Sequence, residues 1–246
     1  MRNWKTHLCL LSSAVMLLLS SSARAENTTI TPVPRSFPTN WMSRHEALVV
    51  EAKKGGVDIL FLGDSITDGW HWDKGGVNVW KKCYAPRHAA NFGIGWDRIQ
   101  NVLWRIEHGE LEGLDPKVIV LLIGTNNAGY EDNGKPRNTT PEIVEGIGTI
   151  VHVLRAKLPK SKILLLGLFP RGQKDDPIRD QVKAINRQIA KLDDGRMIAF
   201  LDIGQKFLEP DGTLSREIMP DLLHPSEKGY QIWADAMEGT LDKLLK

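Results

Sequence analysis

The chain has 246 residues, 25% of them charged and 41% apolar, an ordinary globular composition. Its formal charge of +2 comes from the start of the chain: residues 1–25 hold Arg2, Lys5 and Arg24 and no acidic residue, and without them the charge is −1. That balance gives no case for a nucleic-acid partner, and 221 residues remain for one domain with a sizeable core.

Arg2 and Lys5 precede an apolar run from Leu8 to Leu19, and Ala23-Arg24-Ala25 follows as a small-x-small cleavage signature. This pattern predicts a secretory signal peptide over 1–25 and an exported protein, periplasmic or secreted. The alternative is an uncleaved anchor, but the run is shorter than the roughly 20 residues that span a bilayer. No stable membrane insertion is expected after cleavage. Cys9 lies inside the run, too early for a lipoprotein site, so the processed chain retains Cys83 alone and no internal disulfide. A lone cysteine reads as a small buried apolar residue.

Residues 26–45, with Pro32, Pro34 and Pro38, read as an irregular lead-in, and 46–246 as one domain. Strand-like apolar runs then occur at Val57–Leu62, Ala89–Phe92 (the weakest), Val118–Ile123, Ile163–Phe169 and Ile198–Leu201. Continuous rather than alternating runs suit strands buried on both faces of a parallel sheet. Between them, apolar residues recur at helical spacing: Ile99, Val102, Leu103, Ile106; Ile143, Ile147, Ile150, Val151, Leu154; Ile178, Val182, Ile185, Ile189, Leu192; and Tyr230, Trp233, Met237, Leu241, Leu244. Thr140-Pro141 supplies a cap and first-turn proline for the second series. The alternation predicts an α/β domain with helices on both faces of a parallel sheet.

Sites in such sheets form outside the carboxyl ends of the strands, and four segments fall there. Gly63-Asp64-Ser65-Ile66-Thr67-Asp68 follows the first strand. Ser65 would open the next helix with its backbone N–H free, as a mounted nucleophile or merely as a helix cap. The Gly-x-Ser-x-Gly elbow of α/β-hydrolases is absent. Asn91-Phe92-Gly93-Ile94-Gly95-Trp96-Asp97 is a Gly-rich turn with exposed N–H groups, and it lacks the three-glycine spacing of a dinucleotide site. Gly124-Thr125-Asn126-Asn127 offers side-chain amides that could stabilise an oxyanion, or simply turn residues. Asp221-Leu222-Leu223-His224-Pro225 places a carboxylate three residues before an imidazole, which suits a general base and its orienter or a plain surface pair. Pro225 ends any helical conformation at His224, and a new helix begins near Ser226. Zinc-type His-x-x-x-His or clustered Cys/His spacing is absent.

In this order, the four segments resemble the sequence blocks of the SGNH hydrolases, the GDSL esterase/lipase superfamily, from about residue 57 to the last helix. Within that superfamily the chain is similar to the catalytic subunits of platelet-activating-factor acetylhydrolases. Asn91–Leu111, Gly167–Gly172 and Asp211–Thr213 contribute to the likeness. The resemblance implies a flavodoxin-like three-layer α/β/α sandwich and a cofactor-free, metal-free serine esterase. It implies Ser65 as nucleophile, His224 as base and Asp221 as its partner. The implied oxyanion donors are the Ser65 N–H, the Trp96 N–H and the Asn126 amide. The chain departs from the pattern at Trp96, where the family usually has glycine.

The resemblance also implies an acyl pocket narrowed by Ile66 and Leu223, hence short acyl groups such as acetyl. Trp70, His71, Trp72, Trp80 and Trp96 could stack on sugar rings, so O-acetyl carbohydrate is the expected substrate, unless these rings are core packing. A phospholipid acetylhydrolase, a lysophospholipase or a thioesterase could use the same site. A non-catalytic carbohydrate-binding module would lack a triad member, and none is missing. No sequence feature requires an oligomer.

Overall fold

The computed structural model describes residues 26–246, so the expected signal peptide lies outside the described residues. The five apolar runs form five strands: β1 (Ile59–Gly63), β2 (Ala89–Gly93), β3 (Val118–Leu122), β4 (Lys162–Leu166) and β5 (Ile198–Leu201). All pair in parallel, in the order β2-β1-β3-β4-β5. β1 and β3 are buried at every position, as strands covered on both faces must be. The edge strand β5 is only half-buried throughout.

The helical series become α4 (Ile99–Glu107), α5 (Thr140–Lys157), α6 (Ile178–Ile189) and α7 (Glu227–Leu245). α5 begins one residue beyond the Thr139 cap, which exchanges hydrogen bonds with Glu142, and Pro141 occupies its first turn. Ser226 caps α7 by accepting from the Gly229 N–H. α5 packs against both α4 and α6, and α7 packs with α3 (Val77–Cys83), so helices flank the sheet in two groups.

The lead-in differs from expectation. Its proposed end at residue 45 falls inside α1 (Trp41–Ala52), and Trp41 is fully buried. Upstream, buried Thr29 donates its hydroxyl to the Glu142 carbonyl on α5. The segment is therefore irregular but docked on the domain. α1 shows no apolar periodicity because only Trp41, His45 and Ala52 are buried along its twelve residues, too sparse for an apolar stripe. α3 has seven residues, too few to show a period. Cys83 is half-buried against the core, as a small apolar residue would be.

Between β1 and α7 the core is aromatic. Phe61 meets Trp70, Trp80, Tyr84 and Trp233 at ring-centroid distances of 5.9, 5.1, 4.9 and 6.5 Å. Trp70 and Trp80 are 0% and 6% exposed, which removes both from the candidate sugar platform. Phe61→Ala should therefore cost about 3–5 kcal/mol of stability, read as a lowered urea midpoint. A loss below about 1 kcal/mol would mean that the ring cluster relaxes into the space.

Candidate active site

The order 2-1-3-4-5 puts its switch point between β1 and β3, where ligands of open α/β sheets bind. The first three segments emerge there side by side, since Gly63 is in register with both Gly93 and Leu122. The chain leaves β1 and enters α2 (Ser65–Asp68) at once, with Ser65 as its first residue. Asp64 caps this helix: its Oδ1 accepts the Ile66 N–H at 2.9 Å. Gly63 is required because a β-carbon there would fall 2.3 Å from both the Thr67 hydroxyl and the Leu122 carbonyl. Asn91 fastens α2 to β2 by donating to the Thr67 carbonyl at 2.9 Å.

The distant segment closes over this mount. His224 Nε2 stands 2.9 Å from Ser65 Oγ, and His224 Nδ1 stands 2.7 Å from Asp221 Oδ2. The other Asp221 oxygen accepts the Leu223 and His224 N–H groups at 3.0 and 2.7 Å. Both carboxylate oxygens are thus engaged on one turn, which fixes the ring orientation. Burial alone would push the Asp221 carboxyl up, but the hydrogen bonds from His224 outweigh it and hold the carboxyl below its ordinary range. The turn places Leu222 at φ 61°, and its carbonyl accepts the Gly172 N–H at 2.9 Å. Trp72 packs on the imidazole, with ring centroids 5.3 Å apart.

Asn126 and Asn127, adjacent in sequence, do different work. Asn127 is fully buried: its oxygen accepts the Ile99 N–H that opens α4, and its amide donates to Gln100 and Asn138. Asn126 donates one amide N–H to the Asp97 carbonyl at 2.9 Å, which leaves its second N–H for another acceptor. Trp96 has φ 69° and is 59% exposed, with its carbonyl held by Arg35 at 2.8 Å. The indole therefore points to solvent rather than into the core, while the backbone keeps the turn that glycine would adopt freely. The neighbouring Gly95 lies against the serine: a β-carbon on it would sit 3.9 Å from the Ser65 β-carbon.

Of the expected acyl-pocket residues, Ile66 is buried in the core and Leu223 is half-buried against it. Trp72 and Trp96 are the members of the proposed tryptophan set that reach solvent, at 38% and 59% exposure. Trp72 is steadied by Asp68, which accepts its indole N–H at 3.2 Å and pairs with Arg44 at 2.8 Å. Among the described residues no group of three or more His, Cys, Asp or Glu is placed to hold a metal ion.

Residue-by-residue reading missed a buried charge network beneath the site. Arg105 and Glu110 are fully buried, as is Asp97. Arg105 Nε lies 2.8 Å from Asp97 Oδ2, and its Nη1 pairs with Glu110. The signal was present in the sequence, since a charged residue sits between Leu103 and Ile106 on the apolar stripe of α4.

The arrangement suits acyl transfer: a hydroxyl at a helix start, an imidazole within hydrogen-bond reach of it, and an amide held nearby. The comparisons agree. The family model of the GDSL-like lipase/acylhydrolase family matches residues 61–232. The chain belongs to this family. It is a carboxylic ester hydrolase. Platelet-activating factor acetylhydrolase IB subunit alpha1 of Bos taurus is 37% identical over 206 residues, covering 83% of this chain and 84% of that protein. Subunit alpha2 of Rattus norvegicus is 38% identical over 192 residues, covering 77% and 78%. A GDSL-like lipase structure from Bacteroides thetaiotaomicron superposes with TM-score 0.61 at 20% identity, covering 83% of this chain and 97% of that one. An acetylxylan esterase from Geobacillus stearothermophilus superposes with TM-score 0.59 at 21% identity, covering 77% and 94%. At these identities the two structures establish the shared fold.

Asp64 carries a pH signature. Burial pushes its carboxyl up to about 7, and its Oδ2 has no hydrogen-bond partner among the described residues. An acid that ionises near 3.8 unfolded and near 7 folded holds more protons in the native state in between. Its contribution to stability therefore falls as pH rises from about 4 to about 7 and is flat above. Asp64→Asn keeps an acceptor for Ile66 and removes this slope. In urea melts the variant should gain on the wild type between pH 5 and pH 8. A constant difference across that range would contradict a protonated carboxyl.

Proposed function

We propose that the chain is an exported serine esterase that removes short acyl groups, acetyl foremost, through a Ser65–His224–Asp221 triad. The observation that carries this reading is His224 Nε2 at 2.9 Å from Ser65 Oγ, with Asp221 at 2.7 Å behind the ring. His224 takes the Ser65 proton as the hydroxyl attacks the ester carbonyl, and Asp221 stabilises the imidazolium that forms. Negative charge on the carbonyl oxygen is met by the Ser65 N–H at the start of α2, the free N–H of Asn126 and the Trp96 N–H. His224 returns the proton to the departing alkoxide, and the alcohol leaves. Water, deprotonated by His224, then cleaves the acyl-enzyme and releases the acid. Every step uses groups of this chain. Export rests on the basic, apolar and small-residue pattern of residues 1–25.

Carbohydrate is our proposed leaving group. Its support is the pair of exposed indoles at the site, Trp72 on the catalytic imidazole and Trp96 beside Gly95. Indole faces suit the apolar faces of sugar rings, and an exported enzyme meets acetylated polysaccharide. The rival reading is a phospholipid acetyl ester, favoured by the names of the relatives at 37–38% identity. Turnover rates on acetylated xylan oligosaccharides, acetylated sialate, an acetylated ether phospholipid and lysophospholipid separate the two. The sugar esters should be the faster substrates, and faster turnover of the lipids would overturn the carbohydrate assignment.

Ser65→Ala should abolish hydrolysis of p-nitrophenyl acetate with an unchanged far-UV circular dichroism spectrum, and retained turnover would sink the triad. Asn126→Ala should lower kcat by roughly 10²–10³-fold. A loss below about fivefold would remove Asn126 from the oxyanion hole.

A further inference from the structure

Arg105 is a cation in an expensive place. It is fully buried, and ion pairs so placed contribute little net stability compared with apolar residues of similar volume. What apolar side chains cannot supply is a planar fork of N–H donors. Arg105 Nη2 donates to the Gly63 carbonyl at 3.2 Å and Nη1 to the Phe92 carbonyl at 3.1 Å, so one guanidinium ties the ends of β1 and β2. Its Nε pairs with Asp97 at 2.8 Å, and the other Asp97 oxygen accepts the Trp41 indole N–H at 2.6 Å. Behind Arg105, Glu110 closes the network on buried His45 at 3.1 Å. Burial pushes the Arg105 guanidinium down, but Glu110 and Asp97 more than offset it, so the cation is secure.

The backbone of Asp97 gives this network a catalytic address. Its carbonyl accepts the Asn126 amide at 2.9 Å, and its amino-terminal neighbour is Trp96. The Asn126 amide is thus held through one residue whose side chain is gripped from both sides. We propose that Asp97, clamped by Arg105 and Trp41, is the positioning residue of the oxyanion hole, aiming the Asn126 amide through its own carbonyl. The inference rests on the oxyanion role assigned to Asn126 above.

A double-mutant cycle on p-nitrophenyl acetate tests it. Asp97→Asn keeps the carbonyl and the side-chain shape but releases the charge that Arg105 holds. It should lower kcat by about 10- to 100-fold, the scale of a mispositioned catalytic group, with KM within about threefold. In the Asn126→Ala background the same substitution should lower kcat by less than about threefold, because the donor it aims is already gone. Equal factors in both backgrounds, or an effect on KM alone, would overturn the proposal. Trp41→Phe, which removes the indole N–H from Asp97, supplies the same cycle if Asp97→Asn does not fold, and additivity there overturns it equally. Glu110→Gln is the control for a lost buried charge. It should lower the unfolding midpoint while its effect on kcat stays independent of Asn126. Coupling as strong as that of Asp97→Asn would reduce the network to packing and sink the idea. If Asn126→Ala alone keeps kcat within fivefold of wild type, the oxyanion reading itself falls. A large Asn126→Ala loss with additive Asp97→Asn removes only the positioning role.

Discussion

The contact between Ser65 Oγ and His224 Nε2 joins points 159 residues apart, and it constrains the fold on both sides. On one side the serine must stand at the start of a helix directly off a central strand. That requires Gly63 to let Thr67 and Leu122 approach, and Asp64 to cap the helix with one oxygen while the other is buried with no hydrogen-bond partner among the described residues. On the other side the imidazole must be delivered on a turn just before α7. Asp221 organises that turn through its ring contact and two backbone N–H groups. Tyr230, one turn into α7, donates its hydroxyl to the Ile66 carbonyl at 2.7 Å, so α7 and the turn that carries Ser65 are also joined behind the site.

Strain collects around the same contact. Outside glycine, the described residues with positive φ are His88, Trp96 and Leu222, and two of these three adjoin the site. A left-handed backbone costs a bulky side chain on the order of 1–3 kcal/mol and persists only where the surroundings enforce it. At Trp96 the enforcing groups are Arg35 on the carbonyl and the clamped Asp97 next in the chain. At Leu222 they are the Gly172 N–H and the Asp221 turn. Replacing glycine with tryptophan at a tight turn has an evident return only if the exposed indole meets something outside the protein, which suits the proposed sugar face.

Buried charge is unevenly distributed. Asp64 and Asp97 are both pushed up by burial, to about 7 and about 6, and Asp97 is opposed by the Arg105 cation. The stretch from Asn91 to Leu111 carries Asp97, Arg105 and Glu110, the charged members of this network. Trp41 and His45, its other contacts, come from α1, which explains why a helix with so few buried residues is docked at all.

The sequence by itself determined the central strands, because continuous apolar runs ending before Gly63 and Gly124 suit strands covered on both faces. It also determined the order of the chemistry-bearing segments and the Asp221–His224 spacing, since both are properties of linear distance. Chain order alone left Ser65 as cap or nucleophile. It could not separate Asn126 from Asn127, or Trp72 and Trp96 from Trp70 and Trp80, because adjacent residues of one type differ only in which way the backbone turns them. The tertiary structure decided where these residues stand. It brought His224 to Ser65, gave Asn127 to the start of α4, and buried Trp70 and Trp80 around Phe61. It also showed Arg105 gathering the ends of β1 and β2. A donor fork acts through space on whichever carbonyls the strand order delivers, and local sequence pattern carries no record of that order.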